Sequence, residues 1–191
     1  MKIKKGDAGY ICRRKRNCII KTIVEFGIVI ALLLLGIWQT GDRLNLLTVV
    51  AILGCLPASK ALVEVIVIAP HKSVLRETEN EIKANTEYLT TAFDMVFTSE
   101  KKIMPVDCIV ISGNTICGYT SKEKVDANEA AKHVKKYLDS NKYTKVSVKI
   151  FDNYKSFVSR IKEMNQLAIE EKDQEKEREL GIRRVILNLS L

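Results

Sequence analysis

Residues 104–122 read MPVDCIVISGNTICGYTSK, and this stretch decides what kind of domain the chain can build. Val106 to Ile111 is an apolar run of strand length, with Pro105 at its entry, where a missing N–H is tolerated. Ser112-Gly113-Asn114-Thr115 supplies a two-residue Gly-Asn turn, and Thr115 to Thr120 returns antiparallel. With Gly113 and Asn114 at the centre, Cys108 is expected to face Tyr119 and Cys117 to face Val110. The two thiols therefore do not oppose each other.

Working outward toward the C-terminus, Asp126-x-x-Glu129 starts a helix in capping-box style. Ala127, Ala130, Ala131, Val134 and Leu138 follow at helical spacing. Lys145 to Phe151 alternates Val146, Val148 and Ile150 against Lys145, Ser147 and Lys149, the pattern of a strand with one wet face. Asp152 or Asn153 caps a second helix with the apolar stripe Phe157, Ile161, Met164 and Ala168. That helix runs on through the charged residues 170–180 until Gly181 stops it. Alternating Val185, Leu187, Leu189 and Leu191 then predict a final strand over 183–191.

Toward the N-terminus, 73–93 is expected to be helical, with Leu75, Ile82 and Leu89 a heptad apart, and 94–99 to be a strand. The order αβββαβαβ defines an α/β fold, a mixed sheet flanked by helices over residues 72–191.

Upstream the composition changes. TIVEFGIVIALLLLGIW (22–38) and LNLLTVVAILGCLPASKALVEVIVIA (44–69) are each long enough to cross about 30 Å of hydrocarbon as a helix. The polar turn between them, 39–43, is short, so the expectation is a transmembrane hairpin over 22–69. Trp38 sits at an interface and Pro57 kinks the second span. A cleaved signal peptide does not fit: the apolar run is long, and Gly-Ile-Trp-Gln follows it rather than a small-x-small site.

The formal charge of +8 divides unevenly along the chain. Residues 1–21 hold eight Lys and Arg against Asp7, +7; residues 22–71 give −1; residues 72–191 give +2. The surplus is thus an N-terminal segment (1–21) whose basicity orients the hairpin, placing both termini in the cytoplasm of a multi-pass cell-membrane protein. The nearly balanced C-terminal part points away from nucleic acid. Five Cys among 191 residues, with two His, exclude a cystine scaffold, a histidine triad and a multi-histidine metal site.

Glu25, Lys60 and Glu64 are ionisable residues within the apolar runs, where such groups mark a functional site by default. Counted inward from the outer turn, Glu25 and Lys60 lie about 20–24 Å deep at 1.5 Å per residue, near the cytoplasmic face. The expectation is an intramembrane polar pair, Lys60 bridging Glu25 on the neighbouring helix or Glu64 one turn on. A channel or transporter subunit using them would require a homo-oligomer, since two helices enclose no pore.

The stretch 104–122 resembles the heart of the nuclease-related (NERD) branch of the restriction-endonuclease-like fold. In that family an Asp on the second strand is followed, after a hairpin, by acid-x-Lys on the third. Asp107 and Lys122 match, over roughly residues 73–151. The resemblance implies Asp107 as a ligand of catalytic Mg or Mn and Lys122 as the residue assisting the nucleophile, in a membrane-tethered nuclease. Thr120 stands where the second acid belongs, and Glu123 substitutes for it only with a register shift that turns its side chain to the other face.

Sequence alone therefore leads first to an integral membrane protein of bacterial type. Its cytoplasmic α/β domain is a non-catalytic binding or regulatory module with no cofactor, in contact with membrane lipid. It recruits a protein partner through the charged first helix of the domain or through residues 169–180.

Overall fold

The computed structural model describes residues 3–41, 45–99, 102–170 and 176–190. Through them run α1 (Tyr10–Thr40), α2 (Leu46–Ile68), α3 (Arg76–Ala84), β1 (Thr90–Thr98), β2 (Ile103–Ser112), β3 (Thr115–Tyr119), α4 (Ala127–Ser140), β4 (Ser147–Phe151), α5 (Tyr154–Glu170) and α6 (Lys176–Leu189). The chain divides into two compact units, one formed by Met1–Tyr10 with Ser73–Leu191 and the other by Ile11–Lys72.

The first unit is α/β. Its sheet has the order β1-β2-β3-β4, with β1, β2 and β3 an antiparallel meander and β4 parallel to β3. The hairpin takes the register that its turn dictates: Ser112 pairs with Thr115, Cys108 with Tyr119 and Val110 with Cys117. One face of the sheet packs on Ala130, Val134 and Leu138 of α4 and on Ile182 and Ile186 of α6. The other packs on Ile82 of α3 and on Phe157, Ile161 and Met164 of α5. Each fully buried aliphatic or aromatic side chain contributes about 1.5–3 kcal/mol of transfer free energy.

Asp94 departs from strand geometry, with φ +55° in the middle of β1. That left-handed residue reverses the alternation: Ala92 faces the α4–α6 side and Phe93 the other, yet Met95 and Phe97 return to the α4–α6 side. Opposite it, β2 changes phase as well, with Met104 and Val106 on the α4–α6 side and then Cys108 and Val110 on the α3–α5 side.

Three expected elements differ from the structure. The helix expected over 73–93 is limited to Arg76–Ala84. Thr86 closes it by donating its hydroxyl to the Ile82 carbonyl at 2.8 Å, and the β-branched Thr90 and Thr91 begin β1. The final strand over 183–191 is a correction: the segment is α6, because Ile182 and Ile186 are one helical turn apart and fully buried. Only Ser190 retains a strand-like bridge, to Phe97; Leu191 lies outside the described residues. Gly181 does not stop a helix but sits inside α6, where a Cβ would collide with the Tyr143 hydroxyl. The preceding charged stretch, 171–175, lies outside the described residues.

The expected N-terminal segment 1–21 is also divided. Residues 3–9 belong to the α/β unit: the Phe93 N–H donates to the Gly6 carbonyl at 2.9 Å, and Lys5 Nζ donates to the Ser190 carbonyl at 2.6 Å. Gly6 has φ +92°, and a Cβ there would come within 2.7 Å of Leu187, so this glycine is required by both conformation and close approach. Together with Ser190, whose hydroxyl accepts the Val96 N–H at 2.9 Å, these contacts occupy the open edge of β1.

In the second unit α1 and α2 are both long and apolar enough to cross a membrane, and only 11% and 17% of their most apolar windows are buried. Helix α1 starts at Tyr10 rather than at 22, so Arg13 to Lys21 are helical. Besides Ile68, the buried residues of α2 are small, Ala51, Ala58 and Ala61, and Gly54 approaches Val29 of α1. Small side chains at such spacing let helices come close. Residues 42–44 of the expected turn lie outside the described residues. Asn45 caps α2, its side chain accepting the Thr48 N–H at 2.9 Å, and Pro57 lies inside that helix.

Candidate functional site

Helices α4 and α5 follow β3 and β4, two adjacent parallel strands, but pack on opposite faces of the sheet. The connections diverge where the strands end. In open α/β sheets this divergence leaves a crevice beyond the carboxyl ends of the strands. Here it is a cavity of about 400 Å³ lined from both connections, by Ser121, Lys122, Glu123 and Val125 after β3 and by Asp152 and Asn153 after β4. Its size is at the lower end of ligand pockets, about 300–1,000 Å³.

Each connection ends in a capped helix. Asp126 accepts the N–H groups of Asn128 and Glu129 at 2.9 and 3.1 Å, and Asn153 accepts the Ser156 N–H at 3.1 Å. Glu129, the other half of the expected capping box, is ion-paired with Lys102 instead. The crevice thus offers donors (Lys122, the Ser121 hydroxyl) beside acceptors (Glu123, Asp152).

The residues singled out by the nuclease resemblance lie at this end of the sheet. Asp107 Oδ2 accepts the Ser121 N–H at 2.6 Å, which ties β2 to the first residues after β3. Thr120, in the place of the second acid, is buried, with its hydroxyl donating to the Pro105 carbonyl at 2.9 Å. Lys122 lines the crevice. Among the described residues no group of three or more His, Cys, Asp or Glu side chains is arranged to hold a metal ion. The residues present do not fit the divalent cation that the resemblance implies.

Two tyrosines and the two buried thiols of the α/β unit have raised pKa values. Burial, and then the hydrogen bond that the Tyr154 hydroxyl donates to Glu81 at 2.7 Å, raise the Tyr154 pKa. Burial and the charge of Asp107 raise that of Tyr119. Cys108 is raised well above the ordinary thiol value, by burial first and by Asp107 and Asp94 second. Cys117 is raised by burial, against the opposing effect of Arg160. Neither thiol is a candidate nucleophile.

At the residues of the expected intramembrane polar pair the structure shows other contacts. Glu25 is ion-paired along its own helix with Lys21 at 3.8 Å, and Glu64 accepts a weak hydrogen bond from the Cys18 thiol at 3.9 Å. Among the described residues no ion pair joins Lys60 to either carboxylate. Lys21 stands four residues before Glu25, on the same helix face, whereas Lys60 points outward from α2. Lys15 instead reaches across the hairpin to donate to the Ala69 carbonyl at 2.7 Å, a cation at a helix C-terminus.

Sequence reasoning did not anticipate the crevice, because it depends on which sheet face each helix takes. It also missed the small residues of α2, although Ala51, Gly54, Ala58 and Ala61 are spaced three, four and three apart. Comparison with family models, with curated proteins and with solved structures yields no match.

Proposed function

We propose that the protein is a two-pass integral membrane protein whose α/β unit serves as a binding or regulatory module at the cytoplasmic face. The observation that carries this reading is the attachment of both ends of the helical pair to one folded unit. Residues 3–9, which lead into α1, are hydrogen-bonded to β1. Val74, which follows α2, donates its N–H to Asp94 of the same strand at 3.0 Å. A polypeptide that leaves a folded unit and returns to it through two membrane-length helices must have both ends on one side of the bilayer. The eight basic residues of 1–21 favour the cytoplasm as that side.

The surface of the helices supports insertion: Leu34, Trp38, Leu46 and Leu56 are each more than three-fifths exposed, an apolar area that lipid accommodates and water does not. For the α/β unit, binding suits the crevice of mixed donors and acceptors better than catalysis does. A protein partner would engage the charged α3, or the residues on either side of 171–175.

Crosslinking in intact membranes followed by purification tests the reading. A stoichiometric protein partner is the expected result; recovery of the bare chain under several growth conditions overturns it. Protease added to sealed inverted vesicles is expected to remove residues 73–191, and protection of that part would reverse the orientation.

A further inference from the structure

A second cavity, of about 350 Å³, lies entirely within the α/β unit, between the N-terminal segment, α3, β1 and α6. Ile3 and Phe93 provide apolar wall, and four charged residues line it: Asp7, Glu79, Lys83 and Arg183. Glu79 and Lys83 neutralise each other at 2.6 Å. Arg183 uses Nε to donate to the Thr91 carbonyl at 2.9 Å, and among the described residues no carboxylate forms an ion pair with its guanidinium. Asp7 accepts the Lys4 N–H at 2.7 Å and likewise has no ion-pair partner among the described residues.

The charge pattern selects the ligand. An anion alone would meet Asp7 and Glu79; a cation alone would meet Lys83 and Arg183. A molecule carrying both signs can place its anionic group on the guanidinium, a planar fork suited to phosphate and carboxylate, and its ammonium on Asp7. We propose that this cavity binds a small zwitterion, its ammonium held by Asp7 and its anionic group by Arg183. Such a group occurs both as a phospholipid headgroup and as a free small molecule.

The cavity wall formed by Ile3, Gly6, Asp7 and Ala8 is the segment that enters α1 at Tyr10. An occupant bridging Asp7 on that segment to Arg183 on α6 stabilises the bond from Phe93 to Gly6, and so links occupancy of the cavity to the start of α1. Opening of the segment then competes with binding, by a factor of one plus the ratio of ligand concentration to Kd.

The test uses the full chain in nanodiscs, with hydrogen exchange at the Phe93 amide as readout. In phosphatidylglycerol nanodiscs, O-phosphorylethanolamine at ten times its Kd is expected to slow that exchange about tenfold. Arg184→Gln, next to the site on the exposed side of α6, should respond as the native chain does; Arg183→Gln should not. Asp7→Asn, which leaves α6 and β1 untouched, serves as a second variant if Arg183→Gln fails to fold, and should also lose the response. Slowing in phosphatidylethanolamine nanodiscs without added ligand assigns the site to the lipid headgroup; slowing by the soluble compound alone assigns it to a free molecule. No slowing in either arm, an equal effect of inorganic phosphate, or an unchanged response in both variants overturns the proposal. Quenching of Trp38 fluorescence by brominated lipid reports separately on insertion of the hairpin, so a failure of the membrane reading is distinguishable from a failure of this one.

Discussion

Phe93 and Asp94, consecutive residues on β1, hold opposite ends of the helical pair: the Phe93 N–H donates to the Gly6 carbonyl, and Asp94 Oδ1 accepts the Val74 N–H. The left-handed backbone of Asp94 makes this possible, because it turns the strand at the point where the entering and leaving segments meet its edge. A residue with a Cβ in that conformation costs about 1–2 kcal/mol, so its carboxylate must return more than a solvent-exposed one would.

Replacing Asp94 separates these two contributions. Asp94→Ala loses the hydrogen bond and keeps the strain, and is expected to destabilise the α/β unit by about 1.5–3 kcal/mol, the range for bonds to charged groups. Asp94→Gly loses the same bond but relieves the strain, and should be less damaging by about 1–2 kcal/mol. Denaturation of the two variants in detergent measures the difference; equal stabilities would refute the account of strain.

Gly181 and Tyr143 form a pair with a sign change. Alanine for glycine inside a helix normally stabilises by about 1 kcal/mol. Here the added methyl meets the Tyr143 hydroxyl, so Gly181→Ala alone is expected to destabilise. In a Tyr143→Phe background the same substitution should become neutral or stabilising. Thermal melts of the four proteins of this double-mutant cycle check it, and an additive cycle contradicts it.

Glu179 is buried in α6 and accepts both the Gly113 N–H at 2.6 Å and the Thr90 hydroxyl at 2.7 Å. It fastens α6 to the β2–β3 turn and to the start of β1. Glu179→Ala leaves those donors without an acceptor and should cost about 1–3 kcal/mol. Glu179→Gln keeps one side-chain carbonyl and should cost less. Amide exchange at Gly113 is the direct readout, with faster exchange expected in the alanine variant.

The thiols give a chemical test and a pH dependence. Cys12 and Cys55 are exposed, Cys108 and Cys117 buried. Under the proposed topology, a charged maleimide added to sealed inverted vesicles is expected to label Cys12 while sparing Cys108 and Cys117, and to spare Cys55 through burial in lipid. Labelling of Cys55 in sealed vesicles would refute insertion of α2. Because the folded pKa values of Cys108, Cys117 and Tyr154 are raised, each group contributes stability that is complete below its unfolded pKa. That stability is lost as pH rises toward the folded value. The unit should therefore weaken above about pH 8.5, where unfolded thiols ionise, and a Cys108→Ala, Cys117→Ala variant should weaken less steeply.

Several features were legible in residues alone because a local rule specified them. Gly113-Asn114 set the hairpin register, Asp126 the start of α4, and the apolar runs the two long helices. The misread segments are those in which two local patterns coexist. In 182–191, Val185, Leu187 and Leu189 alternate as a strand does, while Ile182, Val185, Ile186 and Leu189 recur as a helix does. Packing of Ile182 and Ile186 against α4 and the sheet chose the helix. Residues 90–98 show no clean alternation, since Asp94 reverses the phase in mid-strand.

What the sequence determined by itself is the inventory: a basic start, two membrane-length apolar runs, and an α/β set of strands and helices, each readable from periodicity over a few turns or a few residues. The tertiary structure alone decided which segments meet. Residues 3–9 leave their basic surroundings to seal β1, α4 and α5 separate to opposite faces and open a crevice, and Asp7 comes to line one cavity with Arg183. The reason is physical: periodicity reports the environment of a residue along its own element, whereas a site is made by residues far apart in the chain, and their approach depends on packing that no short window contains.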